Sequence, residues 1–391
     1  MSRLKAFFRY PKFKAPPFRI IYLNDDYFLQ AATIEALKTL GHHVYPLQIE
    51  RNPTRMLEKL LKTCVLVKPD AVMGVNHGGF DPEGKIAGIL AELNIPIVMW
   101  YLDDFRFIIH KNNVHATPNS IIFTFDKKQV VPLLETGFQH VFYLPSGSSY
   151  HPQRLYRSPK FAFLQGAVTF VGNTFDKTKT MRNKPHYARH LRELEGQIDF
   201  TRLHHDLVEQ IERHQKTRFD NEDDFYRYAG FVIAHATQVY RQYMLRHISE
   251  PDFHLFGDSK WKELGIGARL HGGTHFLNET PFVYAHSQIN INLSSQQLES
   301  SVSLRIFDVP AAGGFLLTDW KESLAELFDI QQEVAYFGSA EEMNDKIRFY
   351  RRHPELRARM VERARERVRK NHLVQHRVQR MLSICQQIDA F

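Results

Sequence analysis

The sequence has little cysteine and no long apolar run. Only two cysteines, Cys64 and Cys385, occur among 391 residues, which provides neither a disulfide framework nor metal ligands at a characteristic spacing. No segment approaches the roughly 20 apolar residues that span a bilayer. The basic N-terminus is not followed by the apolar run and small-residue cleavage site of a secretory signal. These absences argue against secreted disulfide-rich and membrane-spanning proteins, and we expect a cytoplasmic protein.

A dinucleotide-binding fingerprint is also missing. The first predicted strand, RIIYLN (19–24), is followed by NDDYFLQ instead of a Gly-x-Gly-x-x-Gly turn. That turn brings the backbone close to a pyrophosphate at a helix start in dinucleotide-binding proteins. The first half of the chain therefore does not indicate a dinucleotide site.

Acidic residues are absent from residues 1–19, which combine basic and aromatic side chains. Segments of this composition contact anionic membranes or bind nucleic acid. They also occur where the aromatic side chains pack on a fold and the charges stay in water. We favour packing, because the second basic region (348–380) contains glutamates that are typical of a solvated helix. Peripheral membrane contact through residues 1–19 remains as the alternative, and we expect no nucleic acid partner.

Short apolar segments alternate with amphipathic helical segments in both halves of the chain. The hydrophobic content of 43% is sufficient for globular cores. Continuous apolar strands between helices predict parallel sheets that are covered on both faces. The predicted strands are 19–24, 43–49, 71–76, 95–102, 120–125, 140–145, 167–173, 253–258, 289–292, 314–319 and 334–337.

We therefore predict an α/β fold with two facing Rossmann-like domains, because 391 residues exceed one ordinary core. A helical segment is inserted early in the second domain, and the C-terminus is helical. The predicted parts are a basic-aromatic segment (1–18), a first domain (19–150), a linker (151–166), a second domain (167–370) and a C-terminal helix (371–391) that could return to the first domain.

Polar residues follow two predicted strands of the first domain. NHGGF places His77 after a strand, where it could act as a general base. WYLDDF places Asp103 and Asp104 after the next strand, where one could be a base and the other a helix N-cap. Ligands of α/β proteins bind at such carboxyl ends, so these three residues are the catalytic candidates, although each also has a structural interpretation.

Loops of the second domain contain glycines and basic residues at the same positions. Gly172 and Asn173 end one strand and Gly257 ends another, and a glycine there lets the backbone approach a phosphate. Arg182 follows in a basic segment. In HGGTH, we interpret His275 as a ligand-facing side chain rather than part of a zinc site, since further ligands at zinc spacing are missing.

The stretch SLRIFDVPAAGGFLLTD (303–319) predicts a helix that runs into a buried strand. Ser303, with Ser300 and Ser301, is a candidate N-cap, and a helix start favours anions. Arg305 suits a phosphate oxygen, and Asp308 could accept from the hydroxyls of a ribose. The alternative is a capped helix with a structural ion pair at i,i+3 spacing. The stretch alone leaves both interpretations open.

This stretch and the segment after it, from LAELFDIQQEVAYF through HPELRARMVERARERVRKNHLVQHRVQRML, resemble the C-terminal domain of the CgeB-like (spore maturation protein) glycosyltransferases. Upstream, VTFVGN, FHLFGDSKW and INLSSQ follow the order of that family, and YLDDF and LGHHVYPL are similar to its N-terminal domain. The resemblance covers most of residues 20–385 and is specific over 290–375.

The resemblance implies a GT-B fold, in which the C-terminal domain holds a nucleotide-sugar donor without a bound metal. It gives Arg305 and the helix start the donor diphosphate, and it gives Asp308 the donor ribose. The family usually has Glu where this chain has the shorter Asp308. At the family's other acidic position this chain has Ser300, with Glu299 one residue away.

The resulting hypothesis is a metal-independent glycosyltransferase of the hexosyltransferase type. A nucleotide-diphosphate sugar is its co-substrate, its acceptor is a glycan, protein or small molecule, and no cofactor is expected. The donor-binding candidates are Gly172, Asn173, Arg182, Gly257, His275, Ser303, Arg305 and Asp308. The alternative is a catalytically degenerate GT-B-like binding or scaffold protein, which Asp308 favours and the retained Arg305 opposes.

Overall fold

The computed structural model describes residues 2–27, 29–110, 113–151, 154–176 and 183–388. The chain divides into two compact units. The first unit contains Met1–Ser146 and Val374–Phe391, and the second contains Gly147–Leu373. The chain therefore passes from one unit to the other twice.

The first unit has a parallel sheet of six strands, in the order β2-β1-β3-β4-β5-β6. Every residue of its three central strands β3, β4 and β5 is buried, as expected for apolar strands with both faces covered. Its strands are β1 (Arg19–Asn24), β2 (His43–Gln48), β3 (Ala71–Val75), β4 (Ile97–Tyr101), β5 (Ser120–Thr124) and β6 (His140–Tyr143).

Helices precede or connect these strands, and the last helix of the chain also belongs to this unit. They are α1 (Ser2–Phe7), α2 (Gln30–Thr39), α3 (Pro53–Val67), α4 (Lys85–Glu92) and α5 (Val130–Glu135). Asn52 caps α3 by accepting a hydrogen bond from the Arg55 amide, and Pro53 occupies its first position. The final helix (Val374–Gln387) buries Val378, Met381 and Leu382 and packs on α2.

The aromatic side chains of the N-terminal segment are mostly buried. Phe8, Phe13 and Phe18 are at most 3% exposed. The Tyr10 hydroxyl donates to the Pro69 carbonyl, and the Lys12 ammonium donates to the Phe8 carbonyl. This is the packed arrangement that the sequence favoured. None of the helices in the described part of the chain is long and apolar enough to cross a bilayer.

The second unit has another parallel sheet of six strands, in the order β12-β11-β10-β7-β8-β9. The strand pair β7 and β10 brings Thr169 beside Asn290, and the Thr169 hydroxyl donates to the Asn290 side chain. The strands are β7 (Val168–Val171), β8 (Phe253–Phe256), β9 (Arg269–His271), β10 (Ile289–Asn292), β11 (Leu316–Asp319) and β12 (Ala335–Phe337).

Helices of the second unit cover both faces of this sheet and fill the segment between β7 and β8. They are α6 (Pro185–Glu195), α7 (Leu207–Gln215), α8 (Glu222–Arg246), α9 (Thr280–His286), α10 (Arg305–Ala312), α11 (Leu324–Leu327), α12 (Ala340–Arg352) and α13 (Pro354–Asn371). The helix of the first unit at Val374–Gln387 is α14. Helix α8 begins with three acidic residues behind the capping side chain of Asn221.

The predicted fold class is confirmed, with two parallel sheets, helices inserted after β7 and a helical C-terminus. One strand was missed, since the sequence analysis treated the region of His271 as a loop. Strand β9 has only three residues, none of them fully buried, and pairs with β8 at the edge of the sheet. An edge strand this short lacks the apolar run on which the other predictions rested.

Candidate donor-binding site

Helix α10 is a short buried helix between β10 and β11. Ile306, Phe307 and Val309 are at most 1% exposed and fix its apolar face in the core. Gly313 ends the helix with φ of 85°, a left-handed conformation that glycine adopts without strain. The chain then enters β11 directly.

The start of α10 differs from the prediction. Leu304 occupies the N-cap position and no side chain caps the helix, so the predicted serine cap is wrong. The Ser303 hydroxyl instead donates to the Asn292 side chain at 2.8 Å. Asn292 lies at the end of β10 and also donates to Thr318 in β11. The local sequence pattern predicted that Ser303 caps the helix, but its hydroxyl is engaged by Asn292 at the end of β10.

Arg305 lies at the first position of α10, beside the end of β7. A Cβ atom placed on Gly172 would be 3.3 Å from Arg305 Nη2 and 2.8 Å from the Phe170 ring. Arg305 also acts on Tyr284, a residue of α9, and opposes the rise that burial causes in the pKa of Tyr284. The guanidinium therefore lies close to residues of β7 and α9, and any side chain at position 172 would crowd both Arg305 and Phe170.

Gly257 directly follows β8 and lies against the backbone that follows β7. A Cβ on Gly257 would be 2.2 Å from the Gly172 carbonyl oxygen and 2.6 Å from Trp261 Nε1. Trp261 donates from Nε1 to that same carbonyl at 2.8 Å. The Asp258 carboxylate accepts from the Thr174 amide at 2.7 Å. The structure thus brings Gly172, Gly257 and Arg305 together.

Asp308 is 1% exposed, and its partner is a residue that the sequence analysis missed. The Ser148 hydroxyl donates to Asp308 Oδ1 at 2.6 Å. Burial raises the pKa of Asp308 to about 7, and the Ser148 hydrogen bond and the charge of Arg305 oppose this rise. Because 160 residues separate Ser148 from Asp308, no local pattern could have indicated the contact.

Arg241 of α8 is a second residue that the sequence analysis missed. It is 2% exposed and donates to the Asn173 carbonyl at 2.9 Å and to the Leu293 carbonyl at 3.1 Å. These carbonyls follow β7 and β10. We call Arg241 and Arg305, with the backbone of Gly172 and Asn173 beside them, the basic cluster. The predicted residue Asn173 therefore contributes its carbonyl to this cluster.

Two other donor-binding candidates are placed differently. His275 is exposed, and its ring nitrogen Nδ1 accepts from the Asn278 amide in the turn before α9. Its backbone amide donates to Glu279. Arg182 lies outside the described residues. His275 has no contact with Arg305 in the described part of the chain.

A pocket of about 600 Å³ lies at the carboxyl ends of β11 and β12. Asp319, Trp320 and Ser339 form one part of its wall, and Tyr240 of α8 forms another. Asp319 is buried and accepts hydrogen bonds from the Ser294 amide and hydroxyl and from Tyr240. Its charge also acts on Arg241, so the pocket adjoins the basic cluster.

His77 follows β3 in the first unit in a left-handed conformation, with φ of 53°. It is 6% exposed, its Nδ1 shares a hydrogen bond with the Tyr101 hydroxyl, and its ring packs 4.6 Å from the His115 ring. Burial and His115 lower the pKa of His77 well below its usual value. The imidazole is thus neutral at pH 7.

The adjacent residues Asp103 and Asp104 have different surroundings. Asp104 is fully buried, accepts from the Arg106 amide at the start of a short 3-10 helix (Phe105–Phe107), and forms an ion pair with Arg106. It is the N-cap of the predicted pair. Asp103 is half-buried and accepts from the Tyr27 hydroxyl and the Asn76 side chain.

No group of three or more His, Cys, Asp or Glu side chains in the described ranges is arranged to hold a metal ion. The chemistry that the second unit offers is instead that of an anion site. Two guanidinium groups, a helix N-terminus and a glycine backbone lie at the ends of adjacent strands.

Residues 240–383 match the model of a family described as glycosyl transferase-like. The match covers less than half of the chain, but it contains Arg241, Gly257, Arg305 and Asp308. A curated relative, the D-alanine–D-alanine ligase of Aquifex aeolicus (strain VF5), is 36% identical over 66 residues, which is 17% of this chain and 20% of the ligase. The alignment thus spans a fifth of the ligase, too little to indicate a shared activity.

Solved structures resemble the whole chain. A sucrose-phosphate synthase from Thermosynechococcus elongatus covers 94% of this chain and 98% of its own, with 11% identity and a TM-score of 0.56. HepE from Anabaena, solved in complex with UDP-glucose, covers 95% of this chain and 100% of its own, with 12% identity and a TM-score of 0.56. A glycosyltransferase from Rickettsia africae covers 97% and 99%, with 12% identity and a TM-score of 0.54.

These structures cover nearly the whole chain with TM-scores of 0.54 to 0.56. The similarity confirms the GT-B fold. The family match supports the predicted class of enzyme, a glycosyltransferase, over the part of the chain that contains the basic cluster.

Proposed function

We propose that the chain is a GT-B glycosyltransferase that transfers a hexosyl group from a nucleotide-diphosphate sugar to an acceptor in the cytoplasm. Within this class, the motif of residues 303–319 favours the CgeB-like type. The observation that carries the proposal is the placement of Arg305 at the start of α10, beside Gly172 at the end of β7. The match to a glycosyl transferase-like family over this region supports it.

The donor diphosphate would bind at the start of α10. The first amides of a helix have no carbonyl partner within the helix, and the helix dipole favours an anion there. Arg305 can donate two parallel hydrogen bonds to phosphate oxygens. Gly172 lets the backbone of β7 approach the same group, because its missing Cβ would lie 3.3 Å from the guanidinium. Ser303 and Gly257 border this region.

The donor ribose would bind to Asp308. The Ser148 hydroxyl already donates to Asp308 Oδ1. A ribose hydroxyl that binds this oxygen would therefore share it with Ser148 or displace Ser148 from it. The ionised carboxylate is the stronger acceptor for a ribose hydroxyl. Because the pKa of Asp308 is about 7, ionisation of this residue would tune donor affinity near neutral pH.

Arg305 would also stabilise the charge of the leaving diphosphate in place of a metal ion. Cleavage of the glycosidic bond leaves negative charge on the diphosphate, and fixed positive groups that face this charge lower the barrier. Arg305 and the start of α10 supply such groups, so we propose metal-independent transfer.

A base would be needed if the reaction inverts the configuration of the sugar. We propose Asp103 rather than His77, because His77 is 6% exposed and its pKa is lowered by burial. Asp104 is engaged by Arg106 and acts as a cap. A transfer assay with the variants His77→Ala and Asp103→Asn tests this choice.

Peripheral membrane contact through the N-terminal segment is a further proposal about partners. Phe7 is 38% exposed in a segment whose other phenylalanines are buried, and Lys68 lies over its ring at 4.2 Å. Exposed Arg3 and Arg9 flank it. Co-sedimentation with anionic vesicles that is lost in Phe7→Asp would support this contact, and equal sedimentation of both proteins would contradict it.

The proposed function is tested by calorimetry with UDP, GDP, CDP and dTDP. We expect at least one to bind the wild-type chain, and Arg305→Ala to lose about tenfold or more of that affinity, as expected for a hydrogen-bonded charge. Arg352→Ala is the matched control, since Arg352 is an exposed arginine in the last turn of α12. Binding of none, or equal binding by the Arg305→Ala chain, would contradict the assignment.

The alternative, a degenerate GT-B-like binding protein, rests on Asp308, because the family that the motif resembles usually has Glu at this position. It predicts nucleotide binding without turnover. Hydrolysis of a nucleotide sugar by the wild-type chain, abolished in Arg305→Ala, would exclude it.

A further inference from the structure

Arg241 is a buried cation that the proposed site does not yet use. It lies within α8 and is 2% exposed. Two of its nitrogens donate to the carbonyls of Asn173 and Leu293. The third, Nε, is buried and has no hydrogen-bond partner in the described part of the chain. The guanidinium also lies over the rings of Phe170 and Phe175, at 5.7 and 4.9 Å.

The charge of Arg241 is not neutralised by an ion pair in the described residues, where no carboxylate lies within 4.0 Å of it. The pKa of Arg241 is lowered to about 9, mainly by burial and also by the charge of Arg305, while Asp319 and Tyr240 oppose the shift. Arg241 is nevertheless protonated at neutral pH. Buried Arg106 has the opposite arrangement, because it is paired with Asp104 at 2.6 Å.

A buried charge without a counterion costs folding free energy. Proteins keep such a charge where a ligand supplies the missing opposite charge. Here two guanidinium groups, those of Arg241 and Arg305, act on one another at the ends of β7 and β10. One negative charge would leave this pair half-neutralised, and two adjacent phosphates would satisfy it.

We propose that Arg241 is a positioning residue that makes the site selective for a diphosphate over a monophosphate. Its hydrogen bonds hold the backbone that follows β7 and β10, and its charge adds to that of Arg305 without leaving the protein interior. The inference rests on the proposed function, because it assigns Arg241 to the same donor site.

The test is the ratio between the affinities for a nucleoside diphosphate and for its monophosphate. The probes are UDP, GDP, CDP and dTDP and the corresponding monophosphates, measured by calorimetry with the wild-type chain, Arg241→Met, Arg241→Lys and Arg246→Met. Arg246 is the matched control, because it lies on the same helix but donates to the Leu264 carbonyl from an exposed position.

We expect the preference for the diphosphate to fall about tenfold or more in Arg241→Met. Arg241→Lys keeps the charge but not the two-pronged hydrogen bonding, so it should recover part of the preference. Arg246→Met should keep all of it.

The possible failures are distinguishable. A wild-type chain that binds none of the four diphosphates overturns the proposed function and this inference with it. Binding with an unchanged diphosphate preference in Arg241→Met overturns the inference alone. A ligand-free melting temperature that falls in Arg241→Met, with monophosphate and diphosphate affinities reduced equally, assigns Arg241 a purely structural role and also overturns it.

Discussion

Arg305 and Asp308 lie three residues apart on one helix, but their surroundings differ. Arg305 is half-buried beside the end of β7, whereas Asp308 is 1% exposed and bonded to Ser148. The charge of Arg305 acts on Asp308, but the other contacts of each residue lead to other elements. At this scale the pair is less a local ion pair than two groups placed separately by the tertiary fold.

The titration of Asp308 predicts a pH dependence of stability. Its pKa is about 7 in the folded protein, above the usual value of 3.8, so the native state binds more protons than the unfolded state between these values. Ionisation therefore lowers the free energy of unfolding as pH rises from about 4 to 7. Asp308→Asn should remove this loss, which makes the variant more stable than the wild type by up to about 4 kcal/mol at pH 8.

Urea unfolding of both proteins at several pH values checks this prediction. The difference should grow between pH 4 and 7 and then level off. Asn can still accept from Ser148, so the variant preserves the hydrogen bond at Oδ1. A stability difference that is constant from pH 5 to pH 8 would show that Asp308 titrates in its ordinary range.

The ends of β7 and β8 are tightly packed against each other. The Gly172 carbonyl accepts from Trp261, and Gly257 lies against both groups. A strand that ends in glycine is common in α/β proteins, so the sequence could locate this junction but not its closeness. The short contacts arise only when the two strands are paired.

Gly257→Ala should destabilise the second unit by about 1–3 kcal/mol, as overpacking in a dense interior does. The new Cβ would lie 2.2 Å from a backbone oxygen, which cannot move without displacing the end of β7. Thermal unfolding measures the loss, and nucleotide affinity should fall with it. Gly267→Ala is the control, because a Cβ there would have no neighbour within 4 Å. Equal melting temperatures for the two variants would contradict this packing.

At the scale of elements, eleven of the twelve strands that the structure describes were predicted from short apolar segments between amphipathic helical segments. The missed strand β9 gains its stability from pairing with β8, which a local pattern does not contain. The prediction of a serine N-cap for α10 was wrong for the same reason, because Asn292 at the end of β10 accepts a hydrogen bond from Ser303.

The whole molecule consists of two units that the chain connects twice. Helix α14, at the end of the sequence, belongs to the first unit. Its side chains Val378, Met381 and Leu382 are at most 4% exposed. The first unit is therefore completed by residues that follow the whole of the second unit.

Met381→Ala should destabilise the first unit by about 2–4 kcal/mol, as the loss of a buried methionine side chain does. Hydrogen exchange measures this by region. Protection of the slowest amides in β3, β4 and β5 should fall, while protection in β7, β10 and β11 should not change. Arg380→Ala, at an exposed position next to Met381, should leave both regions unaffected. An equal loss of protection in both sheets would mean that the two units unfold together.

The sequence by itself determined the elements and the class of fold. Apolar runs between amphipathic helices are sufficient to specify buried parallel strands, and the motif around Arg305 and Asp308 indicated the donor site. Only the tertiary structure decided which partners these residues have. Ser148 and Asp308 are 160 residues apart, and Arg241 and Asn173 are 68 apart. Such contacts form because paired strands bring distant loops to one edge. Burial there, not local sequence, raises the pKa of Asp308, and it encloses Arg241 where the described residues provide hydrogen-bond acceptors but no ion-pair partner.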